Sequence, residues 1–139
     1  GTEYEAAWST DEKSGLEKAF CCLYATSRDY ARLGRLWLNN GVWDSTEVIP
    51  SKQLQYMLEP LNVDYGPCPE ACYAISFWIE TYRGINFYYA RGILGQYIIV
   101  IPDKNMLIVR TGKTRMEKTE RFHPKDLYIY IDQALALAE

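Results

Sequence analysis

The chain has one histidine, His123, and no serine followed three residues later by lysine. The single histidine leaves little for a Ser–His–Asp relay, which needs an imidazole held as base against the nucleophile. It stands before Pro124 at an expected helix start, where a capping role is the simpler reading. The missing Ser-x-x-Lys removes another route to an activated hydroxyl, in which a lysine one helical turn on takes the serine's proton. Ser9, Ser14, Ser27, Ser45, Ser51 and Ser76 are followed at that distance by Glu12, Glu17, Tyr30, Val48, Leu54 and Ile79. The 139 residues therefore carry no serine nucleophile of either kind, and the chain alone is expected not to catalyse.

Other scarcities exclude other functions. The longest aliphatic run, Ile98 to Ile101, is strand-sized and far short of the ~20 residues needed to span a bilayer. The formal net charge of −3 lacks the basic excess that a nucleic-acid binder uses to displace counterions. Thr2, Glu3 and Glu5 are the wrong chemistry for the basic start of a signal peptide, and whether Gly1 is native is left open. The four cysteines, adjacent Cys21 and Cys22 and then Cys68 and Cys72, lack zinc-site spacing, and the histidine is remote, so no metal and no cofactor is expected. Buried free thiols are the default expectation, with pairing within or between the two sets as the alternative. Repeats and low-complexity segments are absent.

What is present describes one domain over residues 1–139. Apolar residues make up 48% and charged ones 24%, a soluble, globular balance, and twelve Tyr and four Trp suffice for a core without metals. Residues 1–24 show no period and read as an extended or loop lead-in. Thr26 to Asp29 form an N-cap with an acidic group three residues on, and Tyr30, Leu33, Leu36 and Trp37 follow at helical spacing up to Asn39-Asn40-Gly41. A second helix starts near Pro50-Ser51, with Leu54, Met57, Leu58 and Leu61 on one face. Residues 62–70 read as a loop.

From Tyr73 the period changes to two, Tyr73, Ile75, Phe77 and Ile79 alternating with Ala74, Ser76, Trp78 and Glu80, which predicts a strand. Further strands are expected at Ile85 to Ala90, Gln96 to Ile101 and Met106 to Arg110, joined by short turns and hence antiparallel. Lys113 to Arg121 reads as a solvated charged loop. A last helix from about Pro124 presents Leu127, Ile131, Ala134, Leu135 and Ala138. The fold class is α+β: an antiparallel sheet of about four strands, with N-terminal helices and a C-terminal covering helix.

Two motifs are decoys. Gly112-Lys113-Thr114 mimics the end of a phosphate-binding loop, but Leu107 stands where that loop needs its first glycine. Arg110-Thr111-Gly112 mimics the basic-Thr-Gly triplet of penicillin-recognising enzymes, yet only a loop and a helix follow it instead of two more strands.

The informative stretch is Phe87 to Arg110, FYYARGILGQYIIVIPDKNMLIVR, above all Gly92-x-x-Gly95-Gln96-Tyr97 and the turn Ile101-Pro102-Asp103-Lys104. It resembles a segment of class C β-lactamases, related esterases and 6-aminohexanoate-oligomer hydrolases. Ala25 to Leu36 with Asn40-Gly41, Ile49-Pro50, and Tyr73 to Trp78 match in order. The resemblance implies a partial β-lactamase/transpeptidase-like fold, the C-terminal portion of a larger serine hydrolase. Its acylated serine, activating lysine and assisting tyrosine all lie upstream.

By position the resemblance makes the Ile93 backbone N–H an oxyanion-hole donor, with Gly92 and Leu94 beside the substrate. Only the glycine of the family's triplet persists in Ala90-Arg91-Gly92; Arg91 is a candidate for a substrate carboxylate, a surface arginine being the competing account. Trp8 is placed at the pocket rim, with packing against the first helix as the alternative. The implied partner is a small amide or ester substrate, and family analogy suggests a bacterial periplasm or cell envelope. The strand at 106–110 lacks the partner the family sheet gives it, so self-association through that edge is expected. The alternative reading is a non-catalytic ligand-binding or structural module derived from the same fold.

Overall fold

Thr26 sits in extended backbone, accepts the Asp29 N–H at 3.2 Å and donates its hydroxyl proton to the Asp29 carboxylate at 2.8 Å. That satisfies one of the unpaired amides of the first turn and starts α1 (Ser27–Leu38) where the sequence places it. The helix ends through Asn40 and Gly41, both left-handed, and a Cβ on Gly41 would overlap the Ile49 carbonyl. The structure, a computed structural model, describes residues 1–61 and 72–138. The expected loop at 62–70 lies outside the described residues.

The lead-in is more ordered than its lack of period suggests. β1 (Ala7–Trp8) pairs antiparallel with β2 (Leu23–Tyr24). Two-residue strands are too short to show a period, so nothing in the sequence marks them. After α1, β3 (Val42–Trp43) and β4 (Thr46–Glu47) form a small hairpin, and α2 (Ser51–Met57) follows Pro50. Leu54 is its buried anchor; Leu58 and Leu61 fall beyond its end.

The main sheet is antiparallel in the order β5 (Trp78–Tyr82), β6 (Ile85–Gly92), β7 (Gln96–Ile101) and β8 (Met106–Arg110). β5 starts five residues later than the alternation from Tyr73 predicts. Tyr73 bridges to Trp78 and Ala74 to Pro60, and the chain bends between them. Apolar alternation there reflects packing of a folded-back segment, with Phe77 buried against Tyr88 at 5.2 Å and Trp37 at 4.9 Å. α3 (Lys125–Ala136) closes the chain; Leu127 and Ile131 are buried as expected, whereas Ala138 lies past its end and is exposed.

The sheet separates two apolar layers. Phe87, Tyr89, Tyr97, Ile99 and Ile101 pack with Leu127 and Ile131 beneath α3. Tyr88, Val100, Phe77 and Leu54 pack on the other face with Trp37 and Leu38 of α1. Gly34 lets α1 approach closely, since a Cβ there would press on Ile98 at 2.9 Å. Each fully buried aliphatic side chain stabilises this arrangement by about 1.5–3 kcal/mol.

The free-thiol expectation is corrected. Cys21 and Cys22 are disulfide-bonded to each other, Cys72 is also in a disulfide, and no described cysteine is free. Pairing depends on side-chain proximity, which the spacing did not reveal.

Candidate functional site

β6 and β7 are joined by three residues, Ile93, Leu94 and Gly95, after the last rung Gly92↔Gln96. Leu94 (φ 59°) and Gly95 (φ 83°) are both left-handed, a requirement that glycine meets without strain and leucine does not. The Ile93 amide therefore lies outside the paired register, between two strands that are themselves well paired. Ile93 is 80% exposed and Leu94 51%. An apolar pair is thus displayed at a hairpin tip, beside a main-chain amide that lies outside the ladder.

The turn is held from below. The Gln96 side-chain amide donates to the Gly112 carbonyl at 2.5 Å and its oxygen accepts the Gly112 N–H at 3.0 Å, mimicking one rung of a sheet. Arg110 donates to the carbonyls of Gly95 (2.5 Å), Leu94 (3.5 Å) and Thr114 (2.8 Å), and through Nε to Tyr130 Oη (2.8 Å). In the sequence Gln96 stands only within the Gly92-x-x-Gly95-Gln96-Tyr97 motif and Arg110 only within a decoy triplet, and neither pattern shows this role. The Gly112 of the two decoy motifs is explained here, because a Cβ on it would overlap the Arg110 guanidinium.

Of the residues expected at the site, Gly92, Ile93 and Leu94 are contiguous in this turn. Arg91 is elsewhere: the strand register turns it to the α3 face, where its guanidinium lies 3.5 Å over the Trp78 ring and donates to the Phe122 carbonyl at 2.9 Å. It fastens the 119–123 segment to the sheet, and burial holds its pKa below the usual value. Trp8 is half-exposed on β1, and its indole N–H donates to the carbonyls of Lys18 and Cys21, both at 3.0 Å. These bonds tie it to the loop carrying the Cys21–Cys22 disulfide, not to α1.

His123 is not a helix cap. Its ring is fully buried, Nδ1 lies 2.8 Å from Tyr89 Oη, and Nε2 lies 3.2 Å from a Glu80 carboxylate oxygen, close in distance but outside hydrogen-bond geometry. Glu80 also meets Arg121 at 3.0 Å and accepts from Tyr128 Oη at 3.2 Å. Burial, with Arg91 and Arg121 nearby, pushes the His123 pKa down to about 4, so the ring is neutral at pH 7. The Tyr–His–Glu order resembles a nucleophile relay, but none of the three side chains is more than 1% exposed. Nothing in the sequence singles out Glu80, which alternates with Ile79 along the expected strand and gives no sign of its partners.

Among the described residues no group of three or more His, Cys, Asp or Glu side chains is placed to hold a metal ion, and no helix is long and apolar enough to cross a membrane.

A four-stranded antiparallel sheet with helices on both faces makes this a mixed α/β fold. The chain is similar to a solved structure from Bacillus anthracis provisionally assigned as a 6-aminohexanoate-dimer hydrolase, at 27% sequence identity and a TM-score of 0.68. The match covers 96% of this chain and 33% of that one, so the chain spans about a third of its length. This likeness supports a hydrolase-like origin in the β-lactamase-like fold. No family model and no curated protein matches the chain.

Proposed function

We propose that this chain is the C-terminal part of a β-lactamase-like serine hydrolase that cleaves amide or ester bonds, and that it contributes the Ile93 amide to the oxyanion hole. The observation that carries the reading is the displayed Ile93 turn within a chain that matches a third of a hydrolase-like structure almost end to end. In such a reaction a serine oxygen adds to the substrate carbonyl while a neighbouring lysine takes its proton, and the carbonyl oxygen becomes an alkoxide. The Ile93 N–H donates to that oxygen, which stabilises the transition state by a few kcal/mol in comparable sites. Ile93 and Leu94 supply an apolar wall. The serine and lysine come from residues beyond these 139, which contain no Ser-x-x-Lys.

The test has two arms. The 139-residue chain is assayed with nitrocefin and a p-nitrophenyl ester, and no turnover above background is expected. The full reading frame is then sequenced and expressed; a Ser-x-x-Lys roughly 100–200 residues upstream, a spacing set by ordinary domain size, and ester turnover abolished by replacing that serine are expected. Turnover by the chain alone, or no such motif in the frame, overturns the reading.

A further inference from the structure

We infer that Arg110 is a positioning residue for the Ile93 amide: its guanidinium, set in a slot between two glycines, holds the 93–95 turn in the shape that presents that amide. The inference rests on the hydrolase reading of the turn and deepens it.

Arg110 ends β8 opposite Tyr97, on the face covered by α3. Its side chain is only 18% exposed. The guanidinium passes between Gly95 and Gly112, and a Cβ on either would overlap it. Tyr97 and Tyr130 lie on it at 5.6 and 5.3 Å, and Asp126 approaches to 3.9 Å. All three nitrogens are engaged: Nε with Tyr130, Nη1 with the Gly95 and Leu94 carbonyls, Nη2 with Thr114. Only a planar fork reaches acceptors in these separate directions, which an ammonium group cannot reproduce.

The object it grips is the part of the turn that needs gripping. A left-handed leucine persists where its surroundings over-determine it, and the two carbonyls after that dihedral, of Leu94 and Gly95, are those Arg110 holds. Gln96 locks the base of the turn to Gly112 but reaches no residue of its tip. Arg110 thus links the tip to α3 and the 112–114 segment. If it lets go, the peptide planes of the tip are free to rotate, and a main-chain donor displaced by a fraction of an ångström no longer meets the developing charge.

The experiment uses the full reading frame with Arg110→Lys, which keeps the charge, and Gly112→Ala, which keeps the arginine but fills its slot. kcat and KM for a p-nitrophenyl ester are measured per active site counted by burst titration, and amide hydrogen exchange is followed over residues 92–96. In both variants kcat per titrated site is expected to fall ~10- to 100-fold, the scale of a misplaced catalytic donor. KM should stay within about twofold, and exchange of the amides at the Gly92–Gln96 rung, which closes the turn, should quicken. A merely structural arginine would lower the melting temperature and the number of active sites while leaving kcat per site unchanged. That result, or unaltered exchange, overturns the inference. Where Arg110→Lys does not fold, Tyr130→Phe, which removes only the Nε acceptor, takes its place with a smaller fall expected. No turnover by the unmutated frame sinks the hydrolase reading itself; turnover that the variants leave intact sinks only the role of Arg110.

Discussion

Tyr89 Oη and His123 Nδ1 meet at 2.8 Å, with both side chains fully sealed between β6 and the segment before α3. A buried hydrogen bond of this kind matters most through what its loss leaves behind. Tyr89→Phe strands a ring nitrogen without a partner, which costs about 1–3 kcal/mol. Urea denaturation should show that loss in the midpoint with an unchanged slope; an unchanged midpoint would mean the ring finds another partner.

The same histidine predicts how stability responds to pH. Its folded pKa is held near 4 by burial, against 6.5 for an unperturbed imidazole. Between those values the unfolded chain binds a proton that the folded chain does not, so stability is full above pH 6.5 and declines as the pH falls toward 4. Its span is roughly 3 kcal/mol at most. Carboxylates add their own effect only lower in the window. His123→Gln should flatten the curve between pH 6.5 and 5, and a slope that survives this change would assign it to another group.

α1 offers a local test. Thr26 supplies its N-cap, and Thr26→Ala should cost about 1 kcal/mol, with Thr26→Ser restoring most of it. Thermal melts of the two variants decide. Equal destabilisation by both would shift the credit from the hydroxyl to the methyl group.

In the full reading frame, Ile93→Pro removes the N–H while leaving an apolar residue in place, and kcat should fall on the order of 10²- to 10³-fold. Ile93→Ala keeps the amide and should keep kcat within about threefold, since only side-chain contacts change. If the alanine variant is as impaired as the proline one, the side chain and not the main chain is what the site uses.

β8 is the outer strand of the sheet and has no strand partner on its far side among the described residues. We propose that the isolated chain self-associates through this edge, because unpaired strand N–H and C=O groups are a template for another copy. Light scattering across a concentration series should show a dimer or larger species growing in. A monomer at the highest concentration would refute this.

The sequence by itself determined the elements whose causes are local. Thr26 to Asp29 marked the start of α1, Pro50 that of α2 and Pro124 that of α3, and β7 and β8 run over the expected residues because glycine and the Pro102 turn bound them. The Gly92 to Gln96 turn was visible for the same reason. Tertiary structure alone decided the rest. Tyr73 to Phe77 alternates like a strand but folds back on Trp78; Arg91 adjoins the turn in sequence yet faces α3; Cys21 pairs with its neighbour; and His123 meets Tyr89 rather than a helix end. Arg110 looked like part of a decoy triplet until Gly95 was brought against it across the sheet. Periodicity and capping act over one turn of chain, whereas these contacts join residues that only packing brings together.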